Sequence, residues 1–203
     1  MNRTAHWDRI FTTKASDDVS WFQPEPTVSL RLLDAAGMTS ASRIIDIGGG
    51  DSYLVDRLIQ RGLGCIYVLD VSAAALARAQ ARLGQLQDRV TWIEADVTGD
   101  WDVPPVDIWH DRAMFHFLTD ASDRRRYVEH VRRAVKSGGA IVMGTFALDG
   151  PETCSGLPVM RYSTESLSVE LGPEFQLSES LHERHRTPFG TMQSFCYARF
   201  TRS

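Results

Sequence analysis

The chain has 203 residues, of which 43% are hydrophobic and 24% are charged, values that are typical of a globular domain with its own core. Its 22 basic and 26 acidic residues give a formal net charge of −4, which argues against a nucleic-acid-binding protein. The three cysteines, Cys65, Cys154 and Cys196, are too scattered for a disulfide framework or a zinc site. With no long apolar stretch and no signal-like start, we expect a cytoplasmic protein without a membrane partner.

Aromatic residues crowd the first 25 positions, which end in a proline-containing stretch. We interpret this segment as a lid or wrap, in which Trp21 and Phe22 have the chemistry to close over a ligand and exclude water. The spacing of apolar residues then predicts a helix over residues 27–36, with Leu30 and Leu33 on its inward face.

From Arg43 onward, apolar runs alternate with helical patterns, which predicts βα units and a mainly parallel sheet. The predicted strands are Arg43–Ile47, Cys65–Asp70, Val90–Glu94, Val106–Trp109 and Ala140–Phe146. The predicted helices are Asp51–Leu63, Ala73–Leu86, Asp123–Val135 and a shorter one after Ser163, through Leu171. The last part predicts two strands, Phe175–Thr187 and Thr191–Thr201, as an antiparallel hairpin that closes the sheet.

The most informative segment is a strand that enters a three-glycine turn, Gly48-Gly49-Gly50, and is followed at once by a helix. Glycines let the backbone approach a ligand, and the helix start offers free N–H groups, which suits nucleotide-like ligands. A dinucleotide fingerprint would need glycines at 48, 50 and 53. Position 53 is Tyr53, which counts against NAD or FAD.

The alternative pattern is Asp-x-Gly-x-Gly-x-(Gly/Ser), which Asp46 to Ser52 fits fully. Here the sequence resembles the class I S-adenosylmethionine-dependent methyltransferases, from about Arg43 to the end. The resemblance implies a Rossmann-like, doubly wound α/β fold with a mainly parallel seven-stranded sheet and a C-terminal antiparallel hairpin. We expect one domain, residues 1–203, with 1–38 as an N-terminal helical lid and 43–203 as the cofactor-binding core.

Three further features follow in the order of that family. Asp70 ends the second strand, where an acid can accept both ribose hydroxyls, as it also does in NAD sites. The resemblance implies that Asp46 and the glycine loop lie beside the cofactor, with Asp70 and Val71 at its ribose. It also implies that Asp96 and Val97, at the end of the third strand, meet the adenine.

The third feature is the segment that follows the fourth strand, which contains His110, Asp111 and Arg112. By resemblance it borders the methyl group and the acceptor, so these three are the candidate catalytic residues, and His110 is a cofactor contact as well. Histidine has a suitable pKa for a general base, which is needed only if the acceptor carries a proton. His116 is a candidate acceptor contact, with core packing between Phe115 and Phe117 as the open alternative.

A long irregular loop after the fifth strand contributes Arg161 and Tyr162 as further candidates for acceptor binding. No metal is expected, because His182 and His185 would point to opposite faces of a strand. Several segments, among them HDRAMFHFL and HRTPFGTMQSF, resemble small bacterial-type methyltransferases of unassigned substrate.

The expected function is therefore methyl transfer from S-adenosylmethionine to an acceptor, with S-adenosylhomocysteine as the product. A small-molecule acceptor is our first expectation, and methylation of protein lysine is the alternative. A protein that binds the cofactor without catalysis, as a sensor or partner subunit, also fits the sequence. Tyr53 and the terminal hairpin disfavour a nicotinamide oxidoreductase, and the acceptor atom and the oligomeric state stay open.

Overall fold

A seven-stranded sheet forms the centre of the computed structural model, which describes residues 2–203. The strand order is β3-β2-β1-β4-β5-β9-β8. The neighbours among β1 to β5 pair in parallel, whereas β9 is antiparallel to both β5 and β8. The strands are β1 Arg43–Ile47, β2 Cys65–Asp70, β3 Val90–Glu94, β4 Val106–Arg112, β5 Val135–Phe146, β6 Thr153–Cys154, β7 Leu157–Pro158, β8 Phe175–Arg186 and β9 Met192–Arg202.

Helices cover both faces of this sheet. They are α1 Arg3–Thr13, α2 Thr27–Ala35, α3 Leu54–Gln60, α4 Ala73–Leu83, α5 Ala121–Ala134 and α6 Thr164–Leu171, with 3-10 turns at Gly84–Arg89 and Phe115–Phe117. Successive strand residues face opposite layers: Ile44 packs with α2 and α3, whereas Ile45 packs with α5 and α6. This double winding, with the antiparallel C-terminal hairpin, confirms the predicted fold class.

The strand order places a topological switch point at β1 and β4, which lie side by side in the middle of the sheet. Open α/β sheets bind ligands outside the carboxyl ends of their strands, at such a point. The glycine loop after β1 and the acids that end β2 and follow β3 therefore lie on one rim.

Several element boundaries differ from the predictions by one to five residues, and three of them have a clear local cause. The fourth strand runs on to Arg112, because β1 and β5 pair with it on both sides up to that end. Helix α3 begins at Leu54 rather than Asp51, since the Ser52 amide closes a turn on the Gly49 carbonyl at 2.8 Å. Strand β5 begins at Val135, beside Val106, before a shift in register.

None of the helices in the described part of the chain is both long and apolar enough to cross a membrane.

Candidate functional site

A cleft that encloses about 770 Å³, part of it open to solvent, lies at the rim where the parallel strands end. Helix α1 and the segment that follows it cover this cleft from above. A second space of about 680 Å³ lies beside the glycine loop. The two spaces share Phe11, Trp21, Gly48 and Arg112 in their walls, so they form two parts of one region.

The glycine loop lies tightly against its neighbours. Gly48 has a φ of +65°, and a Cβ atom there would lie 2.7 Å from the Met114 side chain. Gly50 has a φ of +42°, and its Cβ would lie 2.8 Å from Asp70 Oδ2. Both positions favour glycine for its backbone conformation as well as for its size, so the loop leaves open a space that any side chain would narrow.

Asp70 is a buried acid in the wall of the cleft. Its Oδ1 accepts the Ser72 backbone N–H at 2.9 Å. Burial raises the pKa of Asp70 to about 7 despite that hydrogen bond, and the nearby charges of Asp46 and Asp8 add to the increase. A ligand that donates hydrogen bonds to this carboxyl group will favour its ionised form.

Asp96 and Val97 line the same cleft beside Val71. The Asp96 Oδ1 accepts the Thr98 backbone N–H at 2.8 Å and the Thr98 hydroxyl at 2.7 Å. Arg3 of helix α1 lies 3.3 Å from the other oxygen. Burial alone would raise the pKa of Asp96, but the Thr98 hydrogen bonds and the Arg3 charge lower it overall, so this group is an anionic acceptor at neutral pH.

His110 sits in a buried chain of hydrogen bonds behind the glycine loop. Its Nδ1 lies 2.6 Å from Asp46 Oδ1, and its Nε2 lies 2.8 Å from Ser29 Oγ. A carboxylate only accepts, so Nδ1 donates its proton to Asp46, and the Ser29 hydroxyl is the partner of Nε2. Both nitrogens are engaged by protein groups, a geometry that favours a positioning residue over a general base, and the catalytic and cofactor roles of His110 stay predictions.

Asp111 points away from the cleft, because alternate residues of β4 face opposite layers. It is fully buried and accepts the Tyr127 hydroxyl at 2.8 Å and the backbone N–H groups of Met114 and Phe115 at 3.1 and 3.2 Å. Burial raises the pKa of Asp111 to about 6. These hydrogen bonds make Asp111 an anchor for the turn after β4 and give no support to its predicted catalytic role.

Arg112 faces the cleft and keeps one part of its guanidinium free of protein partners. Nε donates to the Tyr197 hydroxyl and Nη1 to the Trp21 carbonyl, both at 2.8 Å. Nη2 is buried and has no hydrogen-bond partner among the described residues. Arg112 is thus the one predicted catalytic candidate that lies in both walls with a donor still available.

The three predicted acceptor contacts lie outside both spaces. His116 is fully buried, accepts the Phe146 N–H at 3.3 Å, and has its pKa lowered to about 3 by burial and by the Arg112 charge. Tyr162 is buried against Phe115, and Arg161 pairs with Glu152 at 3.0 Å. His116 and Tyr162 are held by core packing and Arg161 by a surface ion pair, although His116 Nε2 and the Tyr162 hydroxyl have no hydrogen-bond partner among the described residues. Their roles as acceptor contacts stay predictions.

Trp21 and Phe22, the two predicted lid residues, take different positions in the site. Trp21 lies in the walls of both spaces, whereas Phe22 reaches only the second one, where its ring meets Tyr53 edge-on at 5.7 Å. The Arg82 guanidinium carbon also lies 4.3 Å from the centre of the Tyr53 ring. Where a dinucleotide fingerprint has its third glycine, this chain therefore has a tyrosine with an arginine stacked on it.

Helix α1 supplies site residues that the sequence predictions missed. Arg3, Trp7 and Phe11 all line the cleft, and their spacing of four residues, which places them on one helix face, was the available signal. The other wall residues of the cleft that were missed are Leu69, Ala95, Ala113, Met114, Phe117, Leu118 and Cys154.

Five residues close the cleft beyond the glycine loop, and we call this part the β4 end. They are Trp7, Trp21, Arg112, Phe117 and Cys154. The thiol at this end is buried, which raises the pKa of Cys154 to about 11. Within residues 2–203, no group of three or more His, Cys, Asp or Glu side chains is arranged to hold a metal ion.

A family model described as a methyltransferase domain matches residues 44–139. An uncharacterized methyltransferase of Mycobacterium tuberculosis is 29% identical over 116 residues, which is 57% of this chain and 56% of that protein. The chain therefore spans little more than half the length of the curated relative that it matches.

Solved structures share the fold over nearly the whole chain. The N-methyltransferase NodS from Bradyrhizobium japonicum, in complex with S-adenosyl-L-homocysteine, has a TM-score of 0.75 at 18% identity and covers 100% of this chain and 99% of its own. A Burkholderia thailandensis 1,6-didemethyltoxoflavin-N1-methyltransferase, with bound 1,6-didemethyltoxoflavin and S-adenosylhomocysteine, has a TM-score of 0.70 at 14% identity. It covers 98% of this chain and 84% of its own. At these identities the likeness establishes the fold.

Proposed function

We propose that the chain is a member of the class I S-adenosylmethionine-dependent methyltransferase superfamily and that it methylates a small-molecule acceptor. The observation that supports this function best is the order of groups along one cleft. Following the strand order β3-β2-β1-β4, Asp96 and Val97 come first, then Asp70, then Gly48, and finally Arg112 at the β4 end. That order follows the adenine, ribose, methionine and acceptor positions of a bound cofactor and substrate.

The residues of the cleft fit the cofactor chemically. Asp70 has a carboxyl group for the ribose hydroxyls, with Val71 beside it, and Asp96 with the Val97 N–H suits the adenine edge. Gly48, Gly49 and Gly50 form the open cradle for the methionine portion, since a Cβ atom would meet Met114 at the first of them. S-adenosylmethionine, when bound, would supply an activated methyl group to a lone pair of the acceptor, with the electron pair of the broken C–S bond left on the sulfur of S-adenosylhomocysteine.

The protein's contribution is alignment and the exclusion of water. Trp7 and Phe11 of α1 cover the cleft together with Trp21, and aromatic faces favour a cationic ligand. We propose accordingly that residues 1–38 act as a lid on a core of residues 43–203. His110 holds Asp46 in place behind the glycine loop and moves no proton to or from the acceptor.

The β4 end offers no side chain suited to remove a proton from the acceptor. Its titratable members are Arg112, which is a cation, and Cys154, whose pKa is raised to about 11 by burial. The acceptor atom then attacks with a lone pair that is already free, or passes its proton to water. The Arg112 charge also disfavours a lysine ammonium group at this end, which supports a small molecule over a protein side chain.

Calorimetric titration of the purified protein with S-adenosylmethionine, S-adenosylhomocysteine and NAD tests the cofactor. We expect saturable micromolar binding of the two sulfur compounds and none of NAD. Labelled methyl groups should then appear in the small-molecule fraction of a metabolite and protein mixture. Label only in protein would reverse the choice of acceptor, and cofactor binding without any transfer would favour a non-catalytic binding protein.

A further inference from the structure

The β4 end combines an aromatic enclosure with a single charged group. The Trp7 ring meets Phe117 at 5.0 Å and Trp21 at 5.8 Å, both at an interplanar angle of 80°. Edge-to-face contacts of this kind leave ring faces available to a further flat group, and offset or edge-on stacking on aromatic rings is favourable. The enclosure therefore suits a flat, π-bonded ligand.

Arg112 is held rigidly at this enclosure. Its contacts to the Tyr197 hydroxyl and the Trp21 carbonyl fix two of its nitrogens at 2.8 Å each, and the guanidinium carbon lies 5.0 Å from the centre of the Phe195 ring. All of these partners are neutral. Arg112 forms no ion pair with any described carboxylate, although Arg3, Arg82 and other arginines of the chain do.

An arginine whose Nη2 is buried and unpartnered carries the cost of a desolvated donor and of an unpaired charge. Carboxylates and other oxyanions match the guanidinium group best, because they accept charge-assisted hydrogen bonds. A ligand anion at this point would offset that cost, whereas a neutral or cationic ligand would leave it in place.

We propose that the acceptor is a flat aromatic or heteroaromatic molecule that carries a carboxylate or similar oxyanion, which Arg112 binds through Nη2. This inference rests on the proposed methyl transfer and names its substrate class. The oxyanion anchors the acceptor, and the methyl group is received by another atom of the same molecule. Arg112 is then a specificity-determining residue of the β4 end.

The cofactor's own methionine carboxylate has the same chemistry as the proposed anchor, so the test must separate the two sources. We would compare the wild type with Arg112→Gln, and use Arg61→Gln as a matched control at an exposed ion pair with Asp34. Tyr197→Phe keeps the guanidinium charge but removes one of its supports, and thermal melting of each variant establishes that it is folded.

Two ligand series are needed. S-adenosylhomocysteine and 5′-methylthioadenosine differ in the amino-acid portion, and a panel of aromatic carboxylates is matched with the corresponding primary amides. In the presence of S-adenosylhomocysteine, we expect the wild type, Arg61→Gln and Tyr197→Phe to bind carboxylates at least tenfold more tightly than amides. Arg112→Gln should lose that preference and keep both nucleoside affinities within about twofold.

Three results would overturn the proposal. The first is a wild type with no preference for carboxylates over amides, including no binding of either. The second is an Arg112→Gln variant that retains the preference. The third is a variant that loses tenfold in S-adenosylhomocysteine affinity but none for 5′-methylthioadenosine, which would assign Arg112 to the cofactor. Failure of the wild type to bind any sulfur nucleoside would instead reject the underlying methyltransferase function.

Discussion

Individual polar side chains divide into two groups according to where they point. Asp70 and Arg112 face the cleft, and each keeps hydrogen-bonding capacity that protein groups do not use. Asp111 and His116 face the core, and their hydrogen bonds hold the β4 turn and the Phe146 backbone. An aspartate is thus open to a ligand at the end of β2 and holds local structure at the end of β4.

Asp70 gives the first prediction at this scale. Its pKa of about 7 means that a bound ribose must favour the ionised form, so S-adenosylhomocysteine affinity should rise between pH 6 and pH 8. Asp70→Asn should weaken binding by about 1.5–3 kcal/mol, the usual value of a hydrogen bond to a charged group, and flatten that pH dependence. Calorimetry at pH 6, 7 and 8 measures both effects.

The exposed acid Asp17 provides the control, since Asp17→Asn should leave affinity and pH dependence unchanged. Equal affinities of the wild type and Asp70→Asn at pH 8 would contradict the assignment of Asp70 to the ribose.

Secondary-structure elements show why some site residues could be predicted and others could not. The ends of β1, β2 and β3 were predicted from hydrophobic runs and turn residues, and the structure confirms those three strands. The fourth strand was predicted to end at Trp109, so His110, Asp111 and Arg112 were treated as one loop. Because pairing on both sides continues the strand, successive side chains point to opposite faces, which separates Asp111 from His110 and Arg112. The pairing strands are distant in sequence, so the local sequence could not predict this continuation.

Helix α2 is joined to the glycine loop through the Ser29, His110 and Asp46 chain. Ser29→Ala removes the hydroxyl donor and leaves the buried Nε2 without a partner, so the free energy of unfolding should fall by about 1–3 kcal/mol. Urea denaturation measures the loss. Ser178→Ala, at an exposed position of β8, should change stability by less than about 0.5 kcal/mol, and an equally small effect at Ser29 would argue against the chain as a stabilising link.

At the scale of the whole molecule, the sequence predicts the sheet and the convergence of its motifs on one rim. It does not predict how α1 closes that rim, because Arg3 and Trp7 meet partners that lie far along the chain. Arg3 pairs with Asp96 and Asp123, and Trp7 packs on Trp21 and Phe117. Amphipathic spacing identifies a helix face, whereas the cleft that it covers exists only once the sheet is assembled.

The pH dependence of global stability combines buried groups with opposite effects. Asp70 and Asp111 have pKa values of about 7 and 6, both raised mainly by burial from 3.8. The folded protein therefore binds more protons than the unfolded chain above pH 4, and these two groups reduce stability as pH rises towards 7. His116 acts in the other direction, since burial and the Arg112 charge lower its pKa from 6.5 to about 3.

For His116 the unfolded chain binds the extra proton between pH 3 and pH 6.5, so its contribution to stability is lost as pH falls through that range. The two aspartates act in the opposite sense and, among these three groups, more than offset this loss in the wild type, so a variant is needed to isolate the histidine effect. His116→Gln removes only the histidine effect. Relative to the wild type, its free energy of unfolding should increase as pH falls from 6 to 4, by up to about 1.4 kcal/mol per pH unit.

Urea denaturation at pH 4, 5 and 6 measures this difference, with His182→Gln, at an exposed position of strand β8, as the control. Parallel profiles of His116→Gln and the wild type would show that His116 is not held neutral in the folded core.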